Sequence, residues 1–289
     1  MSKDKFVIID DSKFINYTLN KLKNSKINSS SKINENETSI KTTYIVPPTD
    51  YTFAKFSPSV VTVDIGIPII NQLNGKKVQD GFMLHDIPGW KNRNFIWSFA
   101  NLTLYESSGK ATGVFVINGR ITNPDTGYPY YTMISEKTGN NFNSYVVMAI
   151  MKNNTIRIYE TNKESTAEQQ VLKDLGNIKY AFSGTDVLIR NGGKTEPLAI
   201  RKLKKDENRP KTSIGFDDKN NLLVAVTTSK TPQDWIRWGN TLKKLSSSAT
   251  WISMDGGGSS TMVIKGVPKQ VADGINGRKI STIIGWYDV

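Results

Sequence analysis

The sequence predicts an α+β protein, rich in β-structure, in which a mixed β-sheet packs against a few helices. Most apolar segments are short runs of β-branched and aromatic residues bounded by turn-forming residues, which is typical of strands. Only two segments repeat apolar residues at helical spacing. Hydrophobic residues make up 37% of the 289 positions, which is enough for a sizeable core.

We expect three parts along the chain. Residues 1–43 are rich in Lys, Asn and Ser, and their composition predicts a flexible N-terminal arm or linker. Residues 44–110 are predicted to form a β-rich accessory or N-terminal part. Residues 111–289 carry the motifs described below and are predicted to form the functional domain.

The predicted strands follow one another with short connections. They cover residues 60–70, 96–105, 114–118, 145–151, 155–159, 213–216, 222–227, 251–254 and 262–264. Residues 152–154, Lys-Asn-Asn, and residues 217–221, Asp-Asp-Lys-Asn-Asn, each separate two strands by a short polar turn and predict two hairpins.

Two helices are predicted. The first runs from Ser165 to Leu175, with Ser165 and Glu168 in capping-box spacing. The second runs from Thr231 to Leu245, with Thr231 as N-cap and proline at the first helical position. Both carry an apolar stripe that is typical of core packing.

Two residue counts exclude whole classes of mechanism. The chain has no cysteine, which excludes disulfides, thiol nucleophiles and zinc fingers. Its single histidine, His85, excludes sites that need two or three histidines. Any chemistry must therefore use carboxylates, hydroxyls, backbone amides and arginine.

The net charge has two interpretations. Lys and Arg total 38 and Asp and Glu total 26, which gives a net charge of +12. A lysine-rich surface can simply maintain solubility, or it can attract an anionic partner such as an anionic glycan or a sugar-phosphate polymer. No nucleic-acid-binding motif is present, so no specific nucleic-acid partner is expected.

The densest motif follows the predicted strand 251–254. Asp255 comes after this strand, where a catalytic carboxylate would project, and three glycines and three hydroxyl residues follow it: Gly256, Gly257, Gly258, Ser259, Ser260 and Thr261. Glycines let backbone N–H groups approach a ligand closely, so the segment predicts an anion-binding turn beside an acid. Two alternatives stay open. The segment can be an ordinary glycine-rich hairpin turn, and Asp255 can have the structural role of capping the amides of the turn.

Two more segments share this character. Arg209-Pro210-Lys211-Thr212 offers a guanidinium that can hold a phosphate or carboxylate through two hydrogen bonds, immediately before a strand. The segment from Ser183-Gly184 to Asn191-Gly192 is a small-residue turn leading into a short strand.

In this order and spacing, these segments resemble the phosphodiester glycosidase family. The resemblance rests on Ser183-Gly184 through Asn191-Gly192, Arg209-Pro210-Lys211-Thr212 with Gly215, Asp255 through Met262, and the closing Asp273-Gly274, Arg278 and Ser281. It is strong over about residues 178–287 and weak over 110–135. There, Asn118-Gly119 matches, but Arg120 and Ile121 replace a usual glycine and aromatic. Nothing before about residue 95 resembles the family.

The resemblance implies a hydrolase that cleaves the sugar–oxygen bond of a glycosyl-1-phosphodiester and releases the sugar from a phosphomonoester. It implies Asp255, Arg209 and Thr212 as catalytic residues, with Asp255 as base or nucleophile and Asp273 or Asp186 as its carboxylate partner. The implied substrate-binding residues are Asn118, Ser183, Gly184, Gly256, Gly257, Gly258, Ser259, Ser260, Asp273 and Arg278. Residues 111–289 would then be the catalytic domain.

Several matters stay open at this stage. No cofactor is required, but a divalent cation, Ca²⁺ or Mg²⁺, is an alternative, for example at Asp217 and Asp218. The chain starts without a typical secretory signal and has no apolar run that would span a membrane, so we expect a phage tail (virion) or cytoplasmic location. The alternative function is a non-catalytic, wall-binding component of a phage tail, with residues 1–110 mediating virion assembly or homo-oligomer formation.

Overall fold

The computed structural model describes residues 42–46, 50–66, 71–73, 76–78, 98–102, 113–121, 146–193, 208–227, 233–265, 267–271, 280 and 282–288. The predicted arm lies almost entirely outside these residues, as do His85, Thr231, Asp273 and Arg278.

The described chain forms eighteen strands and two α-helices. The strands are β1 (Thr42–Ile45), β2 (Tyr51–Phe56), β3 (Val61–Gly66), β4 (Asn71–Leu73), β5 (Lys76–Val78), β6 (Ser98–Asn101), β7 (Phe115–Ile117), β8 (Arg120–Ile121), β9 (Val146–Met151), β10 (Ile156–Glu160), β11 (Ile178–Gly184), β12 (Val187–Ile189), β13 (Thr212–Phe216), β14 (Leu222–Thr227), β15 (Thr250–Ser253), β16 (Thr261–Ile264), β17 (Val267–Val271) and β18 (Ile283–Asp288). The helices are α1 (Ala167–Asp174) and α2 (Trp235–Leu245), and 3-10 turns cover Leu175–Asn177 and Gly257–Ser259.

The strands assemble into three large sheets and one small hairpin. Sheet I has the order β1-β2-β14-β13-β15-β12, sheet II the order β10-β9-β11-β7-β8, and sheet III the order β17-β16-β6-β18-β3, while β4 pairs with β5. Every pairing between described strands is antiparallel. The predicted β-rich α+β class is confirmed, with antiparallel sheets in place of one mixed sheet.

One central core lies between the three sheets, and each helix covers an outer face. Alternation along β14 shows this: Val224 and Val226 face the central core, whereas Leu223 and Ala225 pack under α2 with its two tryptophans. Helix α1 covers the outer face of sheet II in the same way. Neither helix of the described chain is long and apolar enough to cross a membrane.

Strands from the N-terminal part complete the sheets of the C-terminal part. Strand β2 pairs with β14, β3 pairs with β18, and β6 lies between β16 and β18. The predicted boundary at residue 110 therefore does not coincide with a boundary between sheets.

Both predicted hairpins are present. The first joins β9 to β10 and the second joins β13 to β14. Asn154 and Asn220 adopt positive φ angles of 64° and 58° in the two turns. Asparagine tolerates this left-handed conformation better than most residues, which explains its place at these positions.

Both helices begin later than predicted. In α1 the N-cap is Thr166, whose hydroxyl accepts from the Gln169 amide at 3.2 Å, while Gln169 Oε1 accepts from the Thr166 amide at 2.9 Å. Ser165 and Glu168 have the same spacing one residue earlier, and the sequence pattern could not separate the two boxes. In α2 the N-cap is Asp234, which accepts from the Arg237 amide at 2.7 Å.

Candidate active site

The ends of several strands meet at one edge of sheet I. Because β12 and β13 are both antiparallel to β15, their first residues lie beside the last residues of β15. Asp186 precedes β12, Thr212 begins β13, and Asp255 lies just beyond β15. Asn101, the last residue of β6, reaches this edge from sheet III. Four segments that are far apart in sequence thus converge.

The main chain of Asp255 is fixed by β6. Its amide donates to the Leu102 carbonyl at 2.9 Å, and its carbonyl accepts from Asn101 Nδ2 at 2.8 Å. Asp255 is only 8% exposed, so it is buried at this edge of the sheet rather than on a protruding loop. This placement suits a group that acts on a bound ligand.

The glycine turn after Asp255 is only partly open to an anion. The amides of Gly257, Ser259 and Ser260 donate to main-chain carbonyls, that of Gly257 to Pro210 at 2.8 Å. These three amides are therefore already bonded to the main chain and are not free for a ligand. Within the described chain, the amides of Gly256 and Gly258 have no partner.

The two serines of this turn are buried. Ser259 is 1% exposed and Ser260 is fully buried. Among the residues that the structure describes, the Ser260 hydroxyl has no hydrogen-bond partner, which is costly for a buried polar group. Both predicted substrate-binding hydroxyls therefore lie beneath the surface of the site.

Arg209 lies against the glycine turn. Its Cδ is 3.8 Å from the point where a Cβ on Gly257 would lie, and its side chain is exposed. Lys211 Nζ donates to the Arg209 carbonyl at 3.0 Å and lies 4.8 Å from the centre of the Trp235 ring. The Arg209 carbonyl is thus held by a buried lysine, and its exposed side chain starts beside the turn that follows Asp255.

Thr212 has a supporting position. It is fully buried, its hydroxyl donates to Asn101 Oδ1 at 2.8 Å, and its carbonyl accepts from the Met254 amide at 3.0 Å. The Thr212 hydroxyl therefore holds the side chain of Asn101 in this structure.

Ser183 and Gly184 join sheet II to this edge. The Ser183 hydroxyl accepts from the Val114 amide at 2.7 Å. A Cβ on Gly184 would lie 2.9 Å from the Ser253 carbonyl, so only glycine fits where β11 crosses β15. Their positions at the site are explained by packing between the sheets.

Asp186 brings a second carboxylate to the edge. Its carbonyl accepts from the Ser253 amide at 2.9 Å, and its amide donates to Ser253 Oγ at 3.1 Å. Asp186 therefore lies opposite Ser253, two positions before Asp255. Burial raises the pKa of Asp186 to about 7, so this carboxyl can carry a proton near neutral pH.

Two sequence-predicted features lie elsewhere. Asn118 occupies the β7–β8 turn with φ 52°, near the start of β11 and thus at the end of that strand opposite Ser183. The Asn191-Gly192 turn packs against the segment before β15, because the Gly192 amide donates to the Ala249 carbonyl at 2.9 Å. The structure does not bring these segments to the Asp255 edge.

The acidic pair in the β13–β14 turn has a structural role. Lys55 Nζ lies 2.7 Å from Asp217 Oδ2, and Asn221 Nδ2 donates to the same oxygen at 2.9 Å. Burial alone would raise the pKa of Asp217, but these hydrogen bonds and the Lys55 charge lower it. Among the residues that the structure describes, no group of three or more acidic or histidine side chains could hold a metal ion.

Sequence reasoning missed Asn101. This residue is 1% exposed and contacts Asp255, Thr212 and Thr261. No local motif surrounds it, since its partners come from strands that lie more than a hundred positions away.

Comparison with known proteins gives the class of protein. The family model for the phosphodiester glycosidases matches residues 111–287, which is more than half of the chain. This protein belongs to that family. No curated protein matches the sequence.

A solved structure shares the fold at low sequence identity. The catalytic domain of zebrafish N-acetylglucosamine-1-phosphodiester alpha-N-acetylglucosaminidase, auto-inhibited by its pro-peptide, aligns with a TM-score of 0.58 and 14% identity over 86% of this chain and 82% of its own. A hypothetical protein from Synechocystis aligns with a TM-score of 0.46 and 11% identity over 82% of this chain and 59% of its own. A putative exported protein from Burkholderia pseudomallei aligns with a TM-score of 0.42 and 9% identity over 82% of this chain and 73% of its own.

Proposed function

We propose that this protein hydrolyses the bond between C1 of a sugar and the phosphate oxygen of a glycosyl-1-phosphodiester. The observation that carries the proposal is the contact between the two motifs. The Gly257 amide bonds to the Pro210 carbonyl, so the turn that follows Asp255 and the segment that carries Arg209 form one unit. A carboxylate and a cation at one edge match the two charges that such a reaction develops.

The reaction breaks one bond and consumes one water molecule. The C1–O bond breaks heterolytically and its electron pair leaves with the phosphate oxygen, which becomes part of a phosphomonoester. Water supplies the hydroxyl at C1, either directly, with Asp255 taking its proton, or after Asp255 has formed a glycosyl ester. A phosphate leaving group is weakly basic, so Arg209 can stabilise it by charge and hydrogen bonds.

Asp186 is the candidate for the second carboxylate. Its main chain bonds to Ser253, two positions before Asp255, so both carboxylates belong to the same edge of sheet I. Its raised pKa allows it to hold a proton near neutral pH. In the proposed reaction Asp186 gives its proton to the leaving oxygen. Where Asp255 forms a glycosyl ester with C1, Asp186 then takes a proton from the water that hydrolyses this ester; where Asp255 is the base, Asp255 itself takes the proton of the attacking water.

The net charge supports an anionic polymer as substrate. A charge of +12 attracts polyanions through long-range electrostatics. We therefore include sugar-phosphate polymers such as teichoic acids in the proposed substrate class, with the virion or the cytoplasm as proposed locations. The attraction should weaken as added salt screens the charges.

A hydrolysis assay tests the proposal. Purified full-length protein is incubated with UDP-N-acetylglucosamine, an α-N-acetylglucosaminyl phosphodiester and purified teichoic acid, each with and without a chelator, and released reducing sugar is measured. Release of sugar together with a phosphomonoester is the expected result. Saturable binding to teichoic acid without release from any substrate would instead indicate the non-catalytic, wall-binding function.

A further inference from the structure

We infer that Asn101 is a positioning residue that sets the place of Asp255 in the active site. This inference rests on the proposed function and adds a residue from outside the stretch that matches the family model, which begins at residue 111. The relevant observation is the juxtaposition of the Asn101 side-chain amide with the carbonyl of Asp255.

Both the amide nitrogen and the carbonyl oxygen of the Asn101 side chain make hydrogen bonds at the site. Nδ2 donates to the Asp255 carbonyl at 2.8 Å, while Oδ1 accepts from the Thr212 hydroxyl at 2.8 Å and from the Thr261 amide at 2.9 Å. The side chain thus ties together the start of β13, Asp255 beyond β15 and the start of β16. The last two of these lie on either side of the glycine turn.

Because Asn101 is buried, these hydrogen bonds cannot be exchanged for bonds to water. With 1% exposure, its amide has no water to replace a lost partner. A second bond, from the Asp255 amide to the carbonyl of Leu102, holds Asp255 to the residue that follows β6. Both main-chain bonds must therefore be in place for the Asp255 carboxylate to project at a fixed position, and small displacements of a catalytic group are costly in rate.

Strand β6 provides a matched control. Ser98, at the other end of β6, is also 1% exposed, and its hydroxyl accepts from the Lys265 amide at 3.0 Å. Asn101 and Ser98 therefore hold the two ends of β16 in the same manner. Only Asn101 also contacts Asp255, so the two residues separate a role in positioning from a role in stability.

The experiment compares Asn101→Ala, Asn101→Asp and Ser98→Ala in the full chain. Asn101→Asp is nearly isosteric and keeps acceptors for Thr212 and Thr261, but it replaces the donor to Asp255 with an acceptor. We expect both Asn101 variants to lose about 100-fold in kcat, with KM changed by less than about threefold. Ser98→Ala should lose thermal stability but keep kcat within about twofold of the wild type.

Amide hydrogen exchange provides a readout that does not depend on activity. Faster exchange at Asp255 and Thr261 is expected in Asn101→Ala, whereas Ser98→Ala should affect Lys265. Unchanged exchange at Asp255 and Thr261 would overturn this inference. The absence of hydrolysis of any substrate would overturn the proposed function instead, so the two failures can be distinguished. Equal kcat losses in the Asn101 and Ser98 variants, or full kcat in both Asn101 variants, would also overturn this inference.

Discussion

The amide of Gly257 donates to the carbonyl of Pro210 at 2.8 Å, and a Cβ added to Gly256 would lie 3.0 Å from that same carbonyl. The glycine turn and the Arg-Pro segment therefore dock through a surface with little room for side chains. This contact explains the adjacent glycines better than an open anion-binding turn does, because several of the turn amides are already bonded. It also fixes where Arg209 stands relative to Asp255.

Replacing Arg209 by lysine tests the anion-binding role of the guanidinium. Lysine keeps the charge but loses the planar pair of donors that suits a phosphate. We expect kcat/KM for a sugar-1-phosphodiester to fall by about 10- to 100-fold, which corresponds to roughly 1.4–2.7 kcal/mol. Arg237→Lys, on an exposed side chain of α2, is the control. Equal activity of the two variants would exclude Arg209 from phosphate recognition.

Replacing Gly184 by alanine tests the packing between sheets I and II. The new Cβ would lie 2.8 Å from Ile252 Cδ1 and 2.9 Å from the Ser253 carbonyl. Such overpacking should lower the free energy of unfolding by about 1–3 kcal/mol, as measured by urea denaturation. Gly176→Ala is the matched control, because nothing lies within 4 Å of its added Cβ. A stable Gly184→Ala protein would show that the two sheets can separate there.

The raised pKa of Asp186 predicts a pH-dependent stability. Between about pH 4, the pKa of an unfolded aspartate, and its folded pKa of about 7, the native state binds a proton that the unfolded state has lost. The free energy of unfolding of the wild type should therefore fall relative to Asp186→Asn as the pH rises through this window, and level off outside it. Parallel curves for the two proteins in urea titrations would contradict the raised pKa.

Removing residues 1–110 tests whether the N-terminal strands belong to the same folding unit. The shortened chain lacks β6, which lies between β16 and β18, and β2, which pairs with β14. It also exposes core surface that Phe53, Phe56 and Phe99 cover in the full chain. We expect it to show no cooperative thermal transition and no near-ultraviolet circular dichroism. A cooperative transition would mean that residues 111–289 fold alone.

The local elements could be predicted from the sequence because their signals are local. The pattern predicts strand Leu222–Thr227 to the residue, since alternating contacts with two cores keep its first five positions apolar and a polar turn precedes it. Helix starts were less certain because Ser165 and Thr166 offer two overlapping capping boxes. The position of Asp255 after a buried strand was also predicted correctly, since that pattern is contiguous.

The arrangement of the site was less predictable because it depends on contacts between distant segments. Asn101 and Asp255 are 154 positions apart, and nothing in the sequence around either residue indicates the other. Thr212 has the position that its motif implies, but its hydroxyl donates inward to Asn101. Asn118 has a plausible motif, yet the turn between β7 and β8 places it at the opposite end of sheet II.

The most direct test of the proposed function is the hydrolysis rate of Asp255→Asn. The amide keeps the size of the side chain but can neither act as base nor form a glycosyl ester, so we expect sugar release from a glycosyl-1-phosphodiester to fall by about 1,000-fold or more, with thermal stability nearly unchanged. Asp218→Asn, at an exposed carboxylate in the turn at the other end of β13, should match the wild type. Sugar release by Asp255→Asn at the wild-type rate would contradict the central claim.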